Sequence, residues 1–222
     1  MKNRILHTRA FIFAFTICLS ITSQACYRTP RQLCRLADHI NKHHGNPFPK
    51  QKALVAAFKQ SISPSNRQFK PEVLQTIVTA VARNTNFKNL EKNKNTINIA
   101  IHELYEVPGF LGALARLLDS ANSKNAANFT GTLGELQFAI EKKKQNKTIL
   151  ALGEKITAPN GRTLTEIDVI TQDEDGTITW QEVKTRSKMR KYNPEIFNAQ
   201  RKKQEELAKE AHVKYQMKIR DS

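Results

Sequence analysis

Apolar residues recur at helical spacing through the first half of the chain. In residues 73–81, for example, Val73, Ile77 and Val81 fall on one face of a helix that follows Pro71. Four further segments share this spacing and are separated by proline, glycine and polar residues: 33–40, 53–58, 97–105 and 110–118. Strand-like alternation does not compete with this pattern, so we expect a small all-α domain over residues 26–121.

The pattern changes after residue 121. Small and polar residues indicate a linker, which we place at residues 122–130. A helix is then expected from about Thr132, and Asp173–Gly176 is typical of a hairpin turn between two strands. The remaining apolar patterns predict four strands, at 148–152, 164–170, 177–184 and 212–219. An amphipathic helix is predicted at 194–211, before the last strand. The order helix-strand-strand-strand-helix-strand predicts an α+β domain over residues 131–222.

The first 25 residues have the pattern of a signal peptide. Lys2, Arg4 and Arg9 precede an apolar run of about a dozen residues, shorter than the roughly 20 that span a bilayer as a helix. Small residues then favour cleavage after Ala25, which predicts a periplasmic or secreted protein without a stable transmembrane segment. Cleavage before a lipidated Cys26 is an alternative.

Composition and charge narrow the range of partners. Hydrophobic residues make up 39% of the 222 residues, enough to form a packed core. The net charge of +16 favours polyanionic partners, because neutralising phosphates releases their counterions. After removal of the first 25 residues, Cys26 and Cys34 remain, and in an exported chain they are a possible disulfide pair. The helical region offers a possible surface for a protein partner or inhibitor.

Carboxylates and a lysine are expected to converge in the second half. Residues two apart on a strand point to the same face, so Glu182 projects with Lys184, and the hairpin brings Asp168 beside them. Glu135 on the preceding helix can add a third carboxylate. An oxygen site of this kind suits Mg²⁺ or Mn²⁺, which activate water for phosphodiester hydrolysis. Glu166 shares a strand face with Asp168, where two like charges repel unless a cation lies between them.

These residues resemble a known family. Gly134-Glu135, Glu166-Ile167-Asp168 and Gln181-Glu182-Val183-Lys184 are similar to the PD-(D/E)XK nuclease superfamily, within it most to the Holliday-junction-resolvase-like branch and related small bacterial endonucleases. The resemblance covers about residues 130–219. It implies a mixed four-stranded sheet, a metal held by Asp168, Glu182 and the backbone carbonyl of Val183, a first-helix glutamate at Glu135 and a catalytic lysine at Lys184. Ile167 stands where the family often has proline.

Further residues are assigned to the site by the same resemblance or by charge. Some family members have a glutamine on the helix after the third strand, for which Gln200 and Gln204 are both candidates. Basic residues follow the third strand closely and favour contact with the phosphate backbone: Arg186, Lys188, Arg190, Lys191, Arg201, Lys202 and Lys203. A solvated charge run is the alternative for them, and Glu205, Glu206 and Glu210 on the same helix support it.

Two functions are consistent with the sequence. The first is an exported, metal-dependent endonuclease that cleaves nucleic acid, with DNA favoured over RNA, as a toxin, an effector or a scavenging enzyme. The second is a basic module that binds nucleic acid or a protein partner on a nuclease-like fold without catalysis. The presence of Glu135, Asp168, Glu182 and Lys184 together favours the first.

Overall fold

A computed structural model gives the fold of residues 29–42, 48–62, 69–82, 88–122, 126–185 and 193–220. Within these ranges the chain forms eight helices and four strands. The helices are α1 (Pro30–Lys42), α2 (Phe48–Ser61), α3 (Pro71–Ala82), α4 (Lys88–Lys92), α5 (Lys94–Leu104), α6 (Phe110–Asn122), α7 (Ala126–Lys144) and α8 (Pro194–Glu210). The strands are β1 (Thr148–Thr157), β2 (Thr163–Gln172), β3 (Ile178–Thr185) and β4 (Lys214–Arg220).

Local sequence explains where several helices begin. Thr29 caps α1: its hydroxyl accepts from the Gln32 amide at 3.3 Å, and the Gln32 side chain accepts from the Thr29 amide at 3.3 Å. The side chain of Asn193 caps α8 by accepting from the Glu195 amide at 2.9 Å, and Pro194 follows at the first helical position. The helix start predicted at Pro194 is therefore confirmed.

One prediction about the middle of the chain is wrong. Helix α7 begins at Ala126, so residues 126–130 belong to a 19-residue helix rather than to a linker. Phe129 explains the difference, because its side chain is fully buried in the core and gives this polar stretch an apolar anchor. Residues 123–125 lie outside the described ranges.

The four strands form one mixed sheet in the order β1-β2-β3-β4. β1 pairs with β2 and β2 with β3 in antiparallel fashion, whereas β3 and β4 run parallel, with α8 as their crossover. The hairpin predicted at Asp173–Gly176 is present, and Gly176 adopts a φ of +83° there. The fold class, the element order and the mixed sheet agree with the sequence prediction.

The core runs continuously from the helices into the sheet. One cluster of buried side chains joins Leu33 and Leu74 in the helical region to Leu136 on α7 and to Val169 and Val183 in the sheet. A smaller cluster lies around Ile167, Trp180 and Ala208, where α8 packs on the sheet. The predicted boundary between residues 121 and 131 does not coincide with a break in this core. The site-bearing strands are therefore packed directly against the helical region.

A tight backbone contact fixes the helical region to β1. The carbonyl of Pro108 accepts a hydrogen bond of 2.9 Å from the Leu152 amide. The adjacent Gly109 has a φ of +83°, and a Cβ at this position would overlap the carbonyl oxygen of Leu152. Glycine is thus required between α5 and α6 both for its backbone conformation and for the close approach.

Two further predictions concern membrane and redox chemistry. None of the helices within the described ranges has the length and apolarity needed to cross a membrane. The signal peptide at 1–25 lies outside these ranges, as does Cys26, so export and the Cys26–Cys34 pairing stay predictions. Cys34 lies on α1, with its thiol 3.8 Å from a carboxylate oxygen of Asp38.

Candidate active site

Asp168 and Glu182 are brought together by the β2–β3 hairpin. The antiparallel register pairs Val169 with Gln181, and its continuation places Asp168 opposite Glu182. One carboxylate oxygen of Asp168 accepts a hydrogen bond of 2.7 Å from the backbone amide of Val183. The prediction that the hairpin brings Asp168 beside the third strand therefore matches the geometry.

Glu182 is a buried carboxylate with several partners. Its side chain is 2% exposed. Lys184, two residues along the same strand, makes an ion pair with its Oε1, and Gln204 donates a hydrogen bond of 2.9 Å to its Oε2. Gln200 lies at the edge of this group, with its amide nitrogen 3.5 Å from Oε1. A buried carboxylate requires such partners, because desolvating the charge without them is costly.

The electrostatics of the site centre on Asp168. Burial raises the pKa of its carboxyl well above the ordinary value of 3.8, and the nearby carboxylates of Glu182 and Glu135 raise it further. Lys184 and the amide of Val183 act in the opposite direction but do not cancel these effects. Three carboxylates are thus close enough to influence one another, and Glu182 and Glu135 disfavour the ionised form of Asp168.

Gln204 is the better placed of the two candidate glutamines. Its side chain is 1% exposed, and its amide nitrogen also lies 3.2 Å from the Thr165 hydroxyl and 3.2 Å from the Glu166 carbonyl. The hydroxyl of Tyr215 on β4 donates to its Oε1 at 2.9 Å. Burial, and after it the charge of Glu182, raises the pKa of Tyr215 well above its usual range. Gln204 therefore connects Glu182 to β2 and β4, whereas Gln200 only borders the site.

Glu135 reaches the site from α7, and it introduces a residue that the sequence analysis missed. Arg116 on α6 lies 3.5 Å from Glu135 and 3.6 Å from Glu166. Its guanidinium supplies a cation to Glu166, on the strand face that Glu166 shares with Asp168. Arg116 stands in the region predicted to be a separate helical domain, and no motif marks it. The only sequence signal was the repulsion expected between Glu166 and Asp168 on one face of the second strand, which requires a nearby cation.

Other predicted residues are placed as follows. The Val183 amide donates to Asp168, and the Val183 side chain is buried in the core. The role of the Val183 carbonyl as a metal ligand stays a prediction. Arg201 and Lys202 are exposed on α8, and Arg201 pairs with Glu205 at 3.4 Å. Lys203 donates to the carbonyl of Leu164 at 2.7 Å. Arg186, Lys188, Arg190 and Lys191 lie outside the described residues.

The site does not form a preformed metal cage. Across the described residues, no three or more His, Cys, Asp or Glu side chains are arranged so that they would hold a metal ion. Mg²⁺ commonly binds through only one or two carboxylates and completes its shell with water and substrate phosphate. The all-oxygen pair of Asp168 and Glu182 suits that mode of binding.

Comparison with known proteins identified no similar protein. No family model matches the chain, and neither a curated protein nor a solved structure matches it. The resemblance to the PD-(D/E)XK superfamily accordingly rests on the residues quoted above.

Proposed function

We propose that the protein is a divalent-metal-dependent endonuclease whose site contains Glu135, Asp168, Glu182 and Lys184. The observation that carries this proposal is the pairing of a buried Glu182 with a partly buried Asp168 beside Lys184. Natural proteins seldom bury neighbouring carboxylates without a function, because their repulsion lowers stability. A divalent cation would offset the repulsion among Asp168, Glu182 and Glu135 that disfavours ionisation of Asp168.

The proposed reaction is hydrolysis of a phosphodiester bond. The oxygen of a water molecule attacks phosphorus, one P–O ester bond breaks, and the two protons of the water end on the two products. Bound Mg²⁺ or Mn²⁺ would lower the pKa of that water and offset charge on the phosphate. Asp168 and Glu182 would hold the ion, and Glu135 would act on it through a bound water.

Other residues of the chain would orient the water, position the metal ligands and bind the substrate. Lys184 places a positive charge next to Glu182, where it can orient the attacking water or offset charge that develops on the phosphate. Gln204 holds the Glu182 carboxylate in one orientation, as second-layer hydrogen bonds do for metal ligands. Arg201 and Lys202 on α8 are suited to contact the phosphate backbone, and DNA is the proposed substrate.

Export remains part of the proposal. The basic and apolar pattern of residues 1–25 supports secretion or a periplasmic location, and an exported nuclease suits a toxin, an effector or a scavenging enzyme. The helical region would then offer a surface for a partner or inhibitor.

One observation favours the alternative of a catalytically silent nucleic-acid-binding module. Lys184 and Arg116 already compensate part of the carboxylate charge, so the site is partly neutralised without a metal. Under this alternative the protein binds nucleic acid but does not cleave it in any divalent metal.

Cleavage of defined substrates decides between the two functions. Purified chain is incubated with plasmid, single-stranded DNA and tRNA, with Mg²⁺ or Mn²⁺ and with EDTA. We expect metal-dependent cleavage that falls by about 10²–10³-fold or more in Asp168→Asn. Asp119→Asn is the matched control, because it removes an aspartate of an exposed ion pair with Lys59 in the helical region. Cleavage in EDTA, or full activity of Asp168→Asn, contradicts the proposal.

A further inference from the structure

We propose that Arg116 is a substrate-binding residue that contacts a phosphate of the DNA backbone, so that the helical region completes the candidate site. This inference rests on the proposed nuclease function. It assigns to α6 a role that goes beyond packing.

The first support is the placement of the guanidinium. Gly153 on β1 lies between the paired residues Leu152–Val169 and Glu154–Ile167, so the register sets it opposite Asp168. A Cβ on Gly153 would come within 2.8 Å of one guanidinium nitrogen of Arg116 and 3.1 Å of the other. The guanidinium therefore lies against bare backbone next to the position of Asp168. Gly153 has a φ of +59°, which glycine adopts without strain.

The second support is the way in which α6 is anchored. The contact of Pro108 and Gly109 with Leu152 fixes the start of α6 one residue away from Gly153. Arg116 follows Gly109 by about two helical turns and thus returns to the same side of the helix. The position of Arg116 is consequently set by a rigid backbone contact rather than by a loose surface loop.

The third support is the long distance between the guanidinium nitrogens of Arg116 and the carboxylates beside them. Its distances to Glu135 and Glu166 are 3.5 and 3.6 Å, longer than the roughly 2.7–2.9 Å of charge-assisted hydrogen bonds. The side chain is 42% exposed. A planar guanidinium in this state retains donors for a phosphate, which it can bind in bidentate fashion.

A purely stabilising role explains these features less well. Glu166 is 39% exposed and Arg116 slightly more, and exposed ion pairs contribute only about 0–1 kcal/mol. The close fit over Gly153 would bring little stability, although it restricts this position to glycine. Binding of a phosphate beside Asp168 accounts both for the exposure of the Arg116 side chain and for its close approach to Gly153.

Salt-dependent binding separates the two roles. A short fluorescein-labelled DNA duplex is titrated with the purified chain in EDTA over a series of KCl concentrations, using fluorescence anisotropy. We expect Arg116→Gln to weaken binding roughly tenfold and to make the slope of log K against log salt shallower by about 0.9, the loss of one phosphate contact. Arg116→Lys keeps the charge and should keep the slope, with a smaller loss of affinity because the bidentate fork is lost.

A matched control removes the same charge elsewhere. Arg35 is exposed on α1, which packs against α2 and α3, so Arg35→Gln should leave affinity and slope unchanged. Circular dichroism and thermal unfolding verify that each variant is folded. An Arg116→Gln variant with an unchanged slope overturns the inference, because a merely structural residue can change affinity without changing the number of phosphate contacts. Binding of single-stranded RNA but not of the duplex overturns it as well.

The same titration separates this inference from the proposed function. If the wild-type protein binds the duplex with the expected dependence on Arg116 but cleaves nothing, the phosphate contact is supported and the nuclease proposal fails. If it cleaves DNA and Arg116→Gln binds like the wild type, only the inference fails. A wild-type protein that neither binds nor cleaves nucleic acid overturns both.

Discussion

The side-chain amide of Gln204 donates a hydrogen bond of 2.9 Å to Oε2 of Glu182, and both side chains are almost completely buried. This contact joins α8 to β3 at the centre of the candidate site. Because Tyr215 donates to the carbonyl oxygen of the same amide, Gln204 cannot rotate without breaking bonds on both sides. The orientation of the Glu182 carboxylate is therefore set by the packing of α8 on the sheet.

The first prediction follows from this contact. Gln204→Ala should lower the free energy of unfolding by about 1–3 kcal/mol, because it leaves buried groups of Glu182 and Tyr215 without a partner. It should also lower the rate of cleavage about 10–100-fold. Chemical denaturation and plasmid cleavage measure the two effects. Gln200→Ala, on the same helix, is the control and should change stability by less than about 0.5 kcal/mol. Equal effects of the two substitutions would contradict the assignment.

The second prediction concerns the ion pair of Lys184 and Glu182. Lys184→Ala should lower the free energy of unfolding by about 3–5 kcal/mol, since it leaves a buried carboxylate without its cation. The double variant Lys184→Ala/Glu182→Gln should recover most of this loss, because no buried charge remains unpaired. A double-mutant cycle by urea denaturation measures the coupling. Additive effects in the cycle would show that the pair is not coupled.

The third prediction is a dependence of stability on pH. The raised pKa of Asp168 means that ionising its carboxyl costs the folded state more than the unfolded chain. The folded state is thus favoured below the unfolded pKa near 3.8, and stability falls as pH rises from there through the raised folded pKa. Asp168→Asn removes this effect, so the variant should unfold at a higher temperature than the wild type at neutral pH. The difference in melting temperature should shrink as the solution is acidified.

Added metal extends this test. Mg²⁺ should raise the melting temperature of the wild type in a concentration-dependent manner, because a ligand that binds only the folded state stabilises it. The same addition should leave Asp168→Asn nearly unchanged. An increase of equal size in both proteins would argue against a metal at Asp168.

The fourth prediction tests the contact between the helical region and β1. Gly109 and Gly161 both have positive φ, but only at Gly109 would a Cβ overlap the neighbouring strand, since nothing lies within 4 Å of one at Gly161. Gly161→Ala should cost about 1–2 kcal/mol for the backbone conformation alone. Gly109→Ala should cost about 1–3 kcal/mol beyond that, because α6 and β1 must separate. Denaturation of the two variants gives the difference, and similar losses in both would rule out a tight junction.

Much of the fold is determined by local sequence. The apolar spacing of the helices and the turn ending in Gly176 are short-range signals, and each corresponds to an element at nearly the predicted place. The caps that the structure shows at Thr29 and Asn193 also act over a few residues. The linker prediction is wrong at residues 126–130, because it was based on the small polar residues of this segment and did not take Phe129 into account. Their helix is stabilised by long-range burial rather than by local propensity.

The sequence by itself also determined part of the candidate site. The two-residue spacing of Glu182 and Lys184 and the hairpin to Asp168 are consequences of strand geometry, which acts over a few residues. Only the tertiary structure decided between Gln200 and Gln204, because the choice depends on how α8 is rotated against the sheet. The tertiary structure alone also brought Arg116 to Glu135 and Glu166, through a backbone contact between Pro108 and Leu152. Contacts between residues so distant along the chain depend on packing of the whole core, which no local pattern encodes.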